Sequence, residues 1–273
     1  MSALTDQLKE STAFIRRHCD TVPSVGIILG SGLGNFVAEI NVEKEISYAN
    51  IPHFPVSTVE GHQGKLIFGE ISGKPVVAMA GRFHFYEGYT PLQVIYPVRV
   101  MKMLGIETLL ISNASGAVNS SFAVGDLMII SDHISFFVTN PLSGKNEDEL
   151  GPRFPDMSEP YSSTLIAKAK TIAEKLQLRV HTGVYTGVTG PTFETRSEYK
   201  LIKTLGGDAV GMSTVQEVIA AVHLGLKVFA VSVITDLGIR DEDNIITHEE
   251  VLQAAKDAEP KLSAIFTNLI QEL

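Results

Sequence analysis

Cysteine is nearly missing from this chain: Cys19 is the one thiol among 273 residues. No internal disulfide can form and no thiol-rich metal cluster can assemble, so a reducing cytoplasm is the expected compartment. Positive charge is also in short supply, with 22 Lys and Arg against 31 Asp and Glu and a formal net charge of −9. Nucleic-acid binders rely on clustered basic side chains to neutralise phosphates, so that class is disfavoured, and any anionic ligand must be small and locally caged. Long apolar runs are absent from the start of the chain, where Glu10, Arg16 and Arg17 interrupt the segment Met1 to Cys19. Neither a signal peptide nor a membrane span is expected there.

What is present is enough apolar material for a large core, at 44% of residues. The length suits one α/β domain over residues 1–273. Leu8, Thr12 and Ile15 recur at helical spacing, and Val25 to Leu29 is a short apolar run ending in Gly30-Ser31-Gly32. Further strand-like runs are Lys65 to Ile71, Pro75 to Ala80, Thr108 to Ser112, Leu127 to Ser131, Val180 to Tyr185 and Val228 to Ile234. Helical patterns cover Pro91 to Leu104, Ser162 to Leu176, Arg196 to Leu205 and Thr214 to Leu224, and a last helix starts at Thr247. There Thr247 and Glu250 have capping-box spacing, ahead of an apolar stripe from Val251 to Leu269. Alternating strands and helices predict a parallel or mixed sheet flanked by helices. The stretch Asn140 to Pro160 reads as one long functional or interface loop.

Polar residues gather where the strand-like runs end, the usual place for ligands in α/β proteins. Gly30-Ser31-Gly32-Leu33-Gly34 offers close backbone N–H groups and a hydroxyl, as a phosphate cradle needs, although a plain glycine turn has the same composition. It is no dinucleotide fingerprint, because Asn35 stands where the third glycine is required. In Gly81 to Gly88, an extended chain would put Arg82, His84 and Tyr86 on one face, a fork of donors beside an aromatic hydroxyl. His62 sits nearby in sequence, in Glu60-Gly61-His62-Gln63-Gly64, and could be only a loop histidine. Ser112 to Ala117 is small and polar and allows close backbone approach, yet fails as a nucleophile elbow because Asn113 and Ala117 replace the glycines flanking Ser115. Phe193 and Glu194 pair an aromatic surface with an acceptor, which suits a flat heterocycle with an N–H edge; Glu194 is equally suited to a helix N-terminus. Ser213 and Thr214 can cap a helix or bind an anion, and Thr235 and Asp236 leave an apolar strand shortly before His248.

Taken in order, GSGLG, VEGHQG, GRFHFYEG, NASGAVN, DHISF, TNPL, RFPDMS, GVTGPTFET, AVGMST, and ITD with HEEV resemble the trimeric family of purine nucleoside and methylthioadenosine phosphorylases, from about Val25 to His248. The resemblance implies a single α/β domain with a twisted, partly barrel-like mixed sheet, a homotrimer, and phosphate-dependent cleavage of purine nucleosides by a pentosyltransferase. Inorganic phosphate would be a co-substrate, with no metal and no organic cofactor. By the same resemblance Ser31, His62, Arg82, His84, the Ala114 backbone N–H and Ser213 hold phosphate, and Tyr86, Met212 and His248 contact ribose. Ala114, Ser115, Gly116, Tyr185, Phe193, Glu194, Val210, Gly211, Met212, Thr235 and Asp236 surround the purine, with His84, Glu194 and Asp236 in the chemistry.

Two departures matter. Leu150 stands where vertebrate members donate an aromatic residue across the subunit interface. Members specific for 6-oxopurines carry Asn at the position of Asp236, whereas methylthioadenosine phosphorylases carry Asp but lack counterparts of Glu194 and His248. The expected substrates are inosine and guanosine with some adenosine; a methylthioadenosine- or adenosine-preferring phosphorylase is the alternative, and a non-catalytic nucleoside-binding protein a more distant one.

Overall fold

The computed structural model describes residues 2–56, 58, 63–238 and 247–273. In chain order the strands are β1 (Val25–Ile28), β2 (Asn41–Ser47), β3 (Lys65–Ile71), β4 (Lys74–Ala80), β5 (Thr108–Ala117), β6 (Leu127–Ile134), β7 (Val180–Gly187), β8 (Ala209–Gly211) and β9 (Lys227–Leu237). The helices are α1 (Ala3–Arg16), α2 (Pro91–Leu104), α3 (Ser163–Lys175), α4 (Arg196–Thr204), α5 (Val215–His223) and α6 (His248–Gln271). The nine strands of the described residues join one mixed sheet in the order β2-β3-β4-β1-β5-β8-β7-β6-β9, and β9 also pairs with β5. That last pairing closes β5, β8, β7, β6 and β9 into a small barrel, while β1 to β4 extend from it as an open wing. The expected mixed, partly barrel-like sheet is therefore the one observed.

Central strands are apolar on both faces because helices cover both. One core packs α1, α2 and α5 against the sheet through residues such as Leu8, Met101, Ile111 and Ile219; the other packs α3 and α6 through Leu29, Ile172, Phe229, Leu262 and Phe266. The helix ends follow their capping residues. Thr90 accepts from the Gln93 N–H with Pro91 at the first helical position, and Gly105, at φ 124°, ends α2 in a conformation that suits glycine. Among the described residues no helix is long and apolar enough to cross a membrane.

Two sequence expectations need correction. Strand β5 does not stop at Ser112 but continues to Ala117, so Asn113 to Gly116 belong to the strand. The segment after β4 is extended only as far as His84 (φ −119°, ψ 150°); Phe85–Glu87 then forms one 3₁₀ turn, so Arg82, His84 and Tyr86 do not share an extended face. The fixed backbone of β5 is held by β9, which runs parallel to it. A register shift between Ser115 and Gly116 places Asp236 opposite Gly116. Such a bulge re-aims a side chain at a strand end, and here it directs a carboxylate across a glycine.

Candidate active site

Strand ends converge on one cavity of about 560 Å³. Its lining includes Ser31 after β1, Arg82, His84 and Tyr86 after β4, Ala114, Ser115 and Gly116 on β5, and Val210 and Gly211 on β8. Phe193 and Glu194 precede α4, Met212 and Ser213 precede α5, Thr235 and Asp236 end β9, and His248 opens α6. Nearly every residue singled out in the sequence thus meets in one place. His62 lies outside the described residues, and Tyr185 is fully buried and does not line the cavity. The Tyr185 hydroxyl instead accepts from the Ser213 N–H at 3.4 Å, and burial pushes its pKa up to about 12, which keeps it a neutral prop behind the lining.

The first end of the cavity is built for an anion. Gly32 adopts φ 75°, and a Cβ there would fall 2.7 Å from the Ala255 Cβ, so glycine lets α6 pack directly on the loop that presents Ser31. Arg82 is buried, with its Nη1 donating to the Ser112 carbonyl at 2.7 Å and to Ser213 Oγ at 3.3 Å. Its other edge is gripped by Glu217, whose Oε1 accepts from Nε at 3.0 Å and whose Oε2 accepts from Nη2 at 2.8 Å. Charge-assisted pairs of this forked kind fix orientation as well as position.

His84 is oriented in the same way. Its backbone N–H donates to Glu87 Oε1 at 2.8 Å, and its Nδ1 lies 3.1 Å from the same oxygen. A carboxylate only accepts, so the proton sits on Nδ1 and the lone pair on Nε2. Burial, and after it the nearby Arg82 charge, lower the imidazole pKa against the opposing pull of Glu87, which favours the neutral ring. Burial alone would raise the Glu87 carboxyl, but hydrogen bonds from His84 and Thr58 outweigh it and bring the pKa to about 2. The Tyr86 ring stacks on His84 with centroids 4.7 Å apart, and burial raises its phenol to about 12, so the hydroxyl stays protonated as a donor.

The second end carries two carboxyl groups beside an aromatic ring. Phe193 is 41% exposed toward the opening, a flat apolar surface not consumed by the core. Glu194 has its pKa raised, first by burial and further by the negative charge of Asp236. Asp236 is itself buried, and Thr235 Oγ1 lies 3.1 Å from its Oδ1. A Cβ on Gly116 would come within 2.7 Å of Asp236 Oδ2, so the strand can host this side chain only because residue 116 is glycine. Two carboxyl groups and an aromatic face are what a heterocycle with polar edges requires.

Sequence reasoning passed over Glu87 and Glu217, and also Thr58, Pro191 and Val251 in the lining. Glu87 had a readable signal, since it lies three residues after His84. Glu217 had only a weak one, as the third residue of a capped helix, because its partner Arg82 is 135 residues away. Among the described residues no cluster of three or more His, Cys, Asp or Glu side chains could hold a metal ion.

Residues 24–271 match the family model described as the phosphorylase superfamily, the class that this barrel and cavity define. The chain is 47% identical to purine nucleoside phosphorylase 1 of Bacillus subtilis, over 99% of this chain and 98% of that one. The structure of isoform 2 of purine nucleoside phosphorylase from Schistosoma mansoni, in complex with cytosine and ribose-1-phosphate, superposes with a TM-score of 0.94 at 44% identity, covering 98% of this chain and 96% of that one. The Schistosoma mansoni purine nucleoside phosphorylase in complex with adenosine gives 0.94 at 40% identity, covering 98% and 97%. The chain belongs to the purine nucleoside phosphorylase family within that superfamily.

Proposed function

We propose that this cavity cleaves purine nucleosides by phosphorolysis, yielding free purine and ribose or deoxyribose 1-phosphate. The observation that carries the reading is the joining, within one cavity of about 560 Å³, of a caged Arg82 at one end with Phe193, Glu194 and Asp236 at the other. Breaking a glycosidic bond leaves positive charge on the sugar and negative charge on the base, so catalysis needs an anion on one side and proton donors on the other. Phosphate supplies the first. One of its oxygens forms the new bond to C1′ while the C1′–N9 electron pair withdraws into the purine.

In this reading Ser31, Arg82, His84, the Ala114 N–H and Ser213 hold phosphate, with His62 as a further candidate. The lone pair on His84 Nε2 accepts from a P–OH, which orients the nucleophile. Tyr86, Met212 and His248 contact the ribose, with His248 at the 5′-hydroxyl. Phe193 lies against the base, Glu194 accepts from N1–H, and Asp236 donates a proton to N7 as charge develops there; Ala114, Ser115, Gly116, Val210, Gly211 and Thr235 complete the pocket. Tyr185 acts from behind, through Ser213. Inosine and guanosine are the better substrates. Adenosine is cleaved as well, because a protonated Glu194 can donate to its N1 while Asp236 accepts from its 6-amino group; the adenosine complex of the Schistosoma enzyme supports that breadth.

The reading extends to one domain over residues 1–273, to a cytoplasmic location and to a homotrimer. Support for self-association comes from Phe136 and Phe154, 87% and 86% exposed, beside a second cavity of about 530 Å³ lined by Leu142, Met157 and Ile219. Light scattering at micromolar concentration tests it, and a monomer would refute it.

The activity is tested by measuring base release from inosine, guanosine, adenosine and methylthioadenosine, with and without phosphate. Phosphate-dependent release from the first two, and weaker release from adenosine, is expected. Equal release in phosphate-free buffer would overturn the phosphorylase reading. Methylthioadenosine as the best substrate would overturn the assigned specificity. Arg82→Ala is expected to weaken phosphate use far more than nucleoside binding.

A further inference from the structure

Glu217 is buried to within 2% of full enclosure and does not line the cavity, yet its carboxylate makes three hydrogen bonds that converge on it. Two come from the Arg82 guanidinium. The third comes from the Thr214 N–H, 2.9 Å from Oε2. Thr214 is the residue just before α5, and its backbone has φ 72° and ψ −55°. Together with the 2.7 Å bond from the Val215 N–H to the Ser213 carbonyl, this defines a γ-turn of the rare positive-φ kind. A β-branched residue is about the least suited to that conformation. Three contacts over-determine it: Glu217 on the N–H, Asn113 Nδ2 donating to Thr214 Oγ1 at 2.9 Å, and the Ser213 hydroxyl 3.1 Å from the same oxygen.

Neither feature is explained by stability. A buried ion pair is a weak source of folding free energy once desolvation is counted, and a strained turn costs free energy outright. What the two share is the position of Ser213 and Arg82. The turn carries Ser213 Oγ to within 3.3 Å of Arg82 Nη1, and Glu217 holds both the turn and the far edge of the guanidinium. We propose that Glu217 is a positioning residue for phosphate, one carboxylate that sets the Arg82 fork and the Thr214 turn in mutual register so that Nη1 and the Ser213 hydroxyl present together to the anion.

A second consequence follows from charge. Glu217 neutralises Arg82 in place, and Glu87 faces His84, so the described part of the cage recognises phosphate through aimed hydrogen bonds and not through surplus positive charge. Geometry therefore matters more than charge number at this site, and a substitution that keeps the charge but moves it should fail.

This inference rests on the proposed phosphate role of Arg82 and Ser213, and three variants separate the two claims. Glu217→Gln keeps the length and an acceptor for one donor; Glu217→Asp keeps the charge and retracts it by one methylene; Arg82→Ala removes the fork itself. Steady-state kinetics are measured with phosphate and with inosine as the varied substrate, alongside thermal unfolding. Because small misplacements near reacting groups are costly, kcat/KM for phosphate is expected to fall about 10- to 100-fold in both Glu217 variants. The KM for inosine should stay within about twofold, as expected for an interaction confined to one substrate. Either Glu217 variant with wild-type phosphate kinetics, while Arg82→Ala is impaired, would overturn the positioning role alone. Unchanged phosphate kinetics in Arg82→Ala would overturn the cage assignment beneath it. If the Glu217 variants melt early but match wild type in both substrates below their melting range, the role is structural and the proposal fails. Should either variant not fold, equilibrium binding of inorganic phosphate to Thr214→Gly replaces it. Glycine accepts the positive φ but lacks the hydroxyl contacts, so weaker phosphate binding supports the proposal and wild-type binding overturns it.

Discussion

The negative charge of Asp236 reaches Glu194, and in the proposed reaction that coupling selects among purines. Burial, and then the Asp236 charge, raise the Glu194 carboxyl above its ordinary range, so it keeps a proton to higher pH than an exposed Glu. In the proposed base site, a proton on Glu194 would satisfy the N1 of adenine, and its absence the N1–H of a 6-oxopurine. As pH rises through the raised pKa, the adenosine-to-inosine ratio of kcat/KM should therefore fall. Asp236→Asn should lower the adenosine ratio, since an amide can donate to N7 and to a 6-oxo oxygen whereas a carboxylate only accepts. Paired pH profiles of wild type and variant check this, and an unchanged ratio would contradict it. Glu194→Ala removes an acceptor that strengthens as negative charge develops, and is expected to cost about 2 to 4 kcal/mol, or about 30- to 1000-fold in kcat/KM for inosine. Near wild-type kinetics would remove Glu194 from the base site.

Elements bring these side chains together, and helix α6 shows how local stability reaches the chemistry. Thr247 accepts from the Glu250 N–H at 3.3 Å, and Glu250 Oε2 accepts from the Thr247 N–H at 3.2 Å. The next residue, His248, lines the cavity. Thr247→Ala should cost about 1 kcal/mol in urea unfolding through loss of the cap. By loosening the first turn it should also raise the KM for inosine more than the KM for 5′-deoxyinosine, which lacks the group His248 is proposed to contact. Equal changes in both KM values would separate the cap from the site.

That capping pair was legible in the sequence, as was α2, whose Thr90, Pro91, Gln93 and Gly105 mark both ends and whose bounds match the observed helix. Strand β2 was not legible. Its sequence NVEKEIS buries only Ile46, and it exists because β3 supplies its hydrogen bonds at the sheet edge. Strand β8 has three residues, too few for any period to register, although it carries Val210 and Gly211 into the cavity. The 3₁₀ turn at Phe85–Glu87 depends on Glu87 folding back to His84, a side-chain event that strand alternation does not encode. Residues that touch the cavity were thus mostly readable, from their chemistry and from ordered motifs. Glu217, which holds them, was hidden because its meaning lies in a contact across the fold.

At the scale of the molecule, closure of five strands into a barrel is what places β5, β8 and β9 around a common cavity, with the β4 exit and the first turn of α6 completing it. In the proposed reaction this cavity joins phosphate to the sugar as the base departs. Phosphorus NMR of the enzyme with inosine and inorganic phosphate tests it most directly, read alongside hypoxanthine release. Phosphorolysis predicts a sugar 1-phosphate resonance that grows mole for mole with hypoxanthine while inorganic phosphate is consumed. Hypoxanthine released with free ribose and an undiminished inorganic phosphate signal would contradict it.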